Sequence, residues 1–216
     1  MQQNNPIMSY HTSKKLPYGV SNFITIVEQN NYYVDKTMYI PMLEDEASNL
    51  FFIRPRRFGK SLFLGMLHAY YDCRTKDKFE QWFGKLWIGQ HPTPNQGRYQ
   101  VLHLDFSQVG GKIEKLEENF DFYLGINLDG FVRDYAEYYS EETRKKVYET
   151  KYAGGKLAII QNEARTKNYP LYLIIDEYDN FTNTVLNEQG EDVYWAITHA
   201  EGFYRDIFKK FKGSFD

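Results

Sequence analysis

Residues 49–61 read Asn-Leu-Phe-Phe-Ile-Arg-Pro-Arg-Arg-Phe-Gly-Lys-Ser, and the fold of the 216-residue chain turns on them. The first six, Asn49 to Arg54, form a compact apolar run stopped by Pro55, the pattern of a strand buried on both faces. From Ser61 the period changes, with Leu62, Leu64, Met66, Leu67 and Tyr70 recurring at helical steps until the polar stretch Asp72 to Lys78. Strand, short turn and helix match the phosphate-loop pattern GxxxxGK[S/T] at every fixed position except the first glycine, where Arg54 stands. The residue types follow from the chemistry. Gly59 lets backbone amides close around phosphates, Lys60 reaches the β- and γ-phosphates, and the Ser61 hydroxyl suits Mg²⁺. The helix that begins there aims its positive end at the same anion. Arg56, Arg57, Phe58 and Leu62 flank these residues and complete the expected nucleotide-contacting set.

Two further strands are expected downstream. Val101 to Phe106 follows a loop rich in Pro, Gly and Asn, and Leu171 to Ile175 follows the turn Asn168 to Pro170. The last strand runs directly into Asp176-Glu177-Tyr178-Asp179. Adjacent carboxylates at the carboxyl end of a hydrophobic strand form a Walker B pattern, in which Asp176 is expected to hold Mg²⁺ and Glu177 to take a proton from the attacking water. Asp179 reads as a helix cap or a solvent-facing carboxylate.

Helical periodicity fills the intervals. It runs from Ile113 to Tyr135, over Glu141 to Lys151, over Lys156 to Thr166 after the break at Gly154 and Gly155, and from Val193 to Phe211. Tyr32 to Val34 reads as extended and leads into a short helix capped by Asp35. Residues 1–15 are polar and read as a flexible terminus, leaving 16–216 as one domain. Alternating strands and helices predict a three-layer αβα, P-loop NTPase fold around a largely parallel sheet. Ligands in such sheets gather at the strands' carboxyl ends, here after Arg54, Phe106 and Ile175.

Composition excludes several alternatives. Lys and Arg total 26 against 29 Asp and Glu, a net charge of −3, so there is no global pull toward nucleic acid or anionic membrane. Arg54, Arg56 and Arg57 beside Phe58 could contact a nucleic acid, but so short a basic run in a net-negative chain makes a polyphosphate the better partner. One cysteine, Cys73, precludes an internal disulfide and a multi-thiolate zinc site, and the five histidines lack HxxxH spacing. There is no GxSxG. Neither a signal peptide nor an apolar run of membrane-spanning length occurs, which predicts a soluble cytoplasmic protein.

Four stretches together resemble the bacterial AAA-ATPase-like family: Leu16-Pro17-Tyr18-Gly19-Val20, Tyr33-Val34-Asp35-Lys36-Thr37, residues 54–61 followed by Leu62, and Leu173 to Asp179. The resemblance covers Leu16 to the end of the sequence, and arginine at the first glycine position is usual in that family. It implies ATP as the nucleotide, with Tyr18, Gly19 and Phe23 as candidates for a base pocket, although an aromatic loop packed on the core accounts for them equally. Relatives continue into a fourth core strand with a polar sensor, and many end in a PD-(D/E)xK nuclease-like domain. The sequence therefore reads as an N-terminal piece of a longer protein, whose partners are nucleotide, its own C-terminal part and a further copy of itself. In such ATPases the next strand lies between the P-loop strand and the Walker B strand, so a gap in mid-sheet is expected here. Mg²⁺-dependent ATP hydrolysis and a nucleotide-binding switch with little turnover both remain open at this point.

Overall fold

The computed structural model describes residues 14–46, 49–53, 57–109 and 115–178, with Asn183, Leu186, Gly190, Glu191, Trp195, Lys209 and Phe211 beyond them. Two short helices come first, α1 (Phe23–Glu28) and α2 (Ile40–Asp45), and α1 begins where the Asn22 side chain accepts a hydrogen bond from the Thr25 amide. Asp35 is not itself a helix cap: it lies two residues before a 3₁₀ turn, Thr37–Tyr39, and its carboxylate accepts from the amide and hydroxyl of Thr37 and, across the fold, from the amide of Trp87. Helix α3 (Lys60–Tyr71) is followed by a 3₁₀ segment, Cys73–Lys78, and the short helices α4 (Phe79–Phe83) and α5 (Trp87–Gln90). Strand β1 (Gln100–Asp105) then leads through α6 (Leu116–Asp134), α7 (Glu141–Glu149) and α8 (Ala153–Thr166) into β2 (Leu171–Asp176).

β1 and β2 pair in parallel, in register from Gln100 opposite Leu171 to Asp105 opposite Asp176. Strand alternation divides the side chains between two cores. Leu102 and Leu104 pack with Phe120, Leu124, Leu128 and Ile160 from α6 and α8. Val101 and Ile174 turn the other way, onto Phe63, Met66, Leu67 and Tyr70 of α3. Helices therefore cover both faces of a parallel pair, an α/β arrangement.

The outer edge of β1 is closed by side chains. The Tyr135 hydroxyl accepts from the Val101 amide at 2.8 Å and donates to its carbonyl at 3.4 Å. Tyr123 does the same for Asp105, at 2.9 and 2.8 Å. The outward backbone groups of Val101 and Asp105 are thus satisfied without a third strand.

Two further sequence expectations need correction. Residues 49–53 belong to no strand, and Phe51 and Ile53 are 63% and 78% exposed. An apolar run becomes a strand only beside a backbone that can share its hydrogen bonds, and here a cavity separates it from β2. Two of its rings are anchored, Phe52 stacked on Phe63 with centroids 5.0 Å apart and Phe51 edge-on to Tyr178 at 6.0 Å. Gly154 and Gly155, expected to separate helices, lie inside the first turn of α8. A Cβ on Gly155 would approach the Thr150 methyl to 2.8 Å, so close approach of the preceding turn explains that glycine. The helix expected from Val193 to Phe211 falls almost entirely outside the described residues, as do Asp179 and residues 1–13.

Asp72, at the end of α3, is only 2% exposed and binds both Arg74, at 2.8 Å, and His68, at 3.3 Å. Burial raises its pKa, but the hydrogen bonds from His68 and Arg74 outweigh that and bring it down to about 2. A carboxyl with a lower pKa folded than unfolded contributes stability that is complete above the unfolded value and lost as pH falls toward 2. Stability should fall by about 1–2 kcal/mol between pH 5 and 2 through this group, and Asp72→Asn should remove that component from urea titrations at the two pH values. Tyr135→Phe should cost about 1–3 kcal/mol in the same titrations, because it leaves the Val101 amide buried and unpaired.

Candidate functional site

The turn before α3 has the backbone its sequence asks for. Gly59, the residue that caps α3, sits at φ 77°, in the left-handed region that glycine tolerates, and its carbonyl accepts the first helical bond from Phe63 at 3.0 Å. Arg57, two residues earlier, is also left-handed, at φ 68°. α3 runs antiparallel to the strands: Tyr71 near its end packs against Tyr172 at the start of β2, while Lys60 at its beginning shares a cavity with Asp176 and Glu177. The helix N-terminus thus opens at the strands' carboxyl ends, where phosphate would meet free amides.

That cavity, about 550 Å³, organises the site. One wall is a stripe of α3, Lys60, Phe63, Leu64, Leu67 and Tyr71, at three- and four-residue spacing. The opposite wall is β2 over its whole length, and residues 49–52 form a third side. Asp176 is 8% exposed and accepts the Glu177 amide on Oδ1 at 2.9 Å. Glu177 stands at φ 52°, a conformation that costs a non-glycine residue on the order of 1–2 kcal/mol and persists only when its surroundings enforce it.

The other expected residues are placed as follows. Ser61 is exposed in the first turn of α3, on the face that carries His68 two turns later. Leu62 packs against the core beneath α3, and Arg57 and Phe58 are exposed and outside the cavity wall. Arg56 lies outside the described residues. Phe23 corrects the base-pocket expectation: it is buried, stacked on Phe83 at 5.0 Å, and so is a core residue. Neither Tyr18 nor Gly19 contributes to the cavity wall.

Sequence reasoning passed over Asp105. The carboxyl end of β1 is marked as a ligand-facing place, but running the strand on to Phe106 hides that Asp105 is its last residue, paired with Asp176. His103 precedes it on the same face, with Nδ1 3.3 Å from Nδ1 of His68. Burial lowers the His103 pKa and His68 lowers it further, while the charges of Asp176 and Asp105 pull it upward.

Among the described residues no group of three or more His, Cys, Asp and Glu could hold a metal ion by itself. The donors present, a buried carboxylate and a hydroxyl, are hard oxygens, and they fit Mg²⁺, which draws most of its shell from substrate phosphates and water.

A family model described as predicted AAA-ATPase matches residues 17–216. The chain belongs to that family. Among curated proteins it is 51% identical over 119 residues to an uncharacterized protein encoded in the vnfD 5' region of Azotobacter chroococcum mcd 1, a match covering 52% of this chain and 22% of the relative. This AAA-ATPase-like chain thus aligns with less than a quarter of that relative's length. No solved structure matches. Among the described residues no helix is long and apolar enough to cross a membrane.

The left-handed turn of this predicted AAA-ATPase gives a direct test. Gly59→Ala should cost about 1–2 kcal/mol in denaturant midpoint experiments, all of it conformational, because a Cβ at that position meets nothing within 4 Å.

Proposed function

We propose that this chain is an ATP-binding P-loop NTPase module that hydrolyses ATP with Mg²⁺ and couples the event to movement in a larger protein. The observation that carries the reading is the convergence of Lys60, Asp176 and Glu177 on one cavity, at the N-terminus of α3 and the carboxyl end of β2. Triphosphate would lie along the first turn of α3, with Lys60 balancing charge on the β- and γ-phosphates. Ser61 and Asp176 would hold Mg²⁺, which when bound spreads the negative charge that develops on the phosphates. Glu177, next along the chain, would orient a water and accept its proton. Family membership supports ATP as the nucleotide.

A second reading, a nucleotide-binding switch with little turnover, has its own observation. The segment leading into the phosphate loop, residues 49–53, is not fixed in a sheet. Catalysis depends on positioning to a fraction of an ångström, whereas binding tolerates more freedom. A further strand, supplied by the rest of a longer polypeptide, would fix that segment by pairing with the cavity-facing edge of β2. The much greater length of the Azotobacter relative supports that part of the proposal.

Calorimetry and phosphate release on the same samples separate the two readings. Lys60→Ala should weaken Mg²⁺-ATP binding about tenfold or more under either. Glu177→Gln should keep binding and lower turnover about 10²–10⁴-fold if the chain hydrolyses ATP. Turnover unaffected by Glu177→Gln would sink the catalytic role of that glutamate.

A further inference from the structure

The structure points to a second carboxylate in this site. Asp105 and Asp176 are the last pair in the parallel register, and paired residues of neighbouring strands face the same side, with backbones about 4.8 Å apart. The side they share is settled by His103, two residues before Asp105 on β1, whose ring meets His68 of α3. Both carboxylates are therefore delivered toward α3.

The same contact fixes the rotation of α3 about its axis. Ser61 precedes His68 by seven residues, two helical turns, so it lies on the same face about 10 Å nearer the helix N-terminus. Since α3 runs antiparallel to the strands, that displacement carries Ser61 past His103 toward the end of β1, where Asp105 sits. Lys60, one residue earlier, points instead into the cavity beside β2. Ser61 and Asp176, the two residues assigned to Mg²⁺, are thereby flanked by Asp105 on the β1 side.

Asp105 is held firmly by the residues around it. Its amide and carbonyl are both tied to the Tyr123 hydroxyl, and its Oδ1 accepts the Ser107 amide at 2.9 Å, capping the short 3₁₀ turn Phe106–Gln108. Among the described residues no lysine or arginine forms an ion pair with it, although the buried Asp176 carboxylate stands alongside. Two carboxylates presented on one face without a counter-cation repel each other, and a divalent cation relieves that repulsion.

Resting on the Mg²⁺-nucleotide reading above, we propose that Asp105 is a positioning residue of that site, accepting hydrogen bonds from the water shell of Mg²⁺ held by Ser61 and Asp176. Its charge would raise the affinity of the nucleotide complex for the metal and leave metal-free ATP binding unchanged or slightly stronger when removed.

The test is Asp105→Asn in the full chain. Asparagine keeps an oxygen to cap Ser107 and leaves the Tyr123 contacts to the backbone intact, so the urea midpoint should stay near that of the wild type. ATP affinity is measured with EDTA, with MgCl₂ and with MnCl₂, counting free Mn²⁺ by its electron paramagnetic resonance signal. The expected result is a five- to tenfold loss of the metal-dependent gain in ATP affinity, matched by weaker Mn²⁺ binding, with the EDTA value not reduced. Asp105→Glu should recover part of that gain. Wild-type and Asp105→Asn chains with equal metal dependence overturn the role of Asp105 alone and leave the nucleotide reading standing. A folded wild-type chain that binds no ATP with either metal overturns both.

Discussion

The parallel pairing of β1 with β2 is the constraint on which the rest of the structure depends. Six residue pairs in register bring Asp105 and Asp176 to one end and one face, and they divide the apolar side chains between the core under α3 and the core under α6 and α8. A slip of β1 by one residue would exchange its two faces, turning His103 and Asp105 into the α6 core and away from the side Asp176 shares. Register is secured because Leu102 and Leu104 must reach Phe120 and Leu124 while Val101 and Ile174 must reach Met66 and Tyr70.

The two edges of this pair are treated differently. On β1 the hydroxyls of Tyr123 and Tyr135 occupy the outward backbone groups of Asp105 and Val101. β2 instead faces a cavity of about 550 Å³ along its whole length, with residues 49–52 on another side. That asymmetry joins the candidate site to the open edge: the cavity lined by Asp176 and Glu177 is the same surface on which β2 has no strand partner among the described residues.

α3 mediates between these surfaces because its faces have separate tasks. The stripe from Lys60 to Tyr71 lines the cavity, whereas the face carrying Ser61 and His68 turns to β1. At its far end the helix is fastened by Asp72, whose ion pair with Arg74 and contact with His68 hold a buried carboxylate charged. A helix fixed at its C-terminus with a left-handed glycine at its N-terminus presents free amides in a set direction. Anion recognition would draw on that direction.

Much of this was legible in the sequence because it rests on local rules. The period of Leu62 to Tyr70 specifies α3, the apolar runs before Phe106 and Asp176 specify β1 and β2 to within a residue, and Gly59-Lys60-Ser61 with Asp176-Glu177 specify which side chains are candidates for the site. The state of residues 49–53 was not legible, since an apolar run carries no information about whether a neighbouring backbone is there to receive it. Phe23 read equally well as pocket or core, and only its stacking on Phe83 decided between them. Asp105 is the clearest case of what tertiary structure alone decides. In sequence it lies 71 positions before Asp176, one carboxylate among 29, and nothing local distinguishes it. Strand register, a relation between two distant segments, makes them neighbours, because hydrogen bonding between backbones is indifferent to sequence separation while side-chain direction is fixed by the pleat.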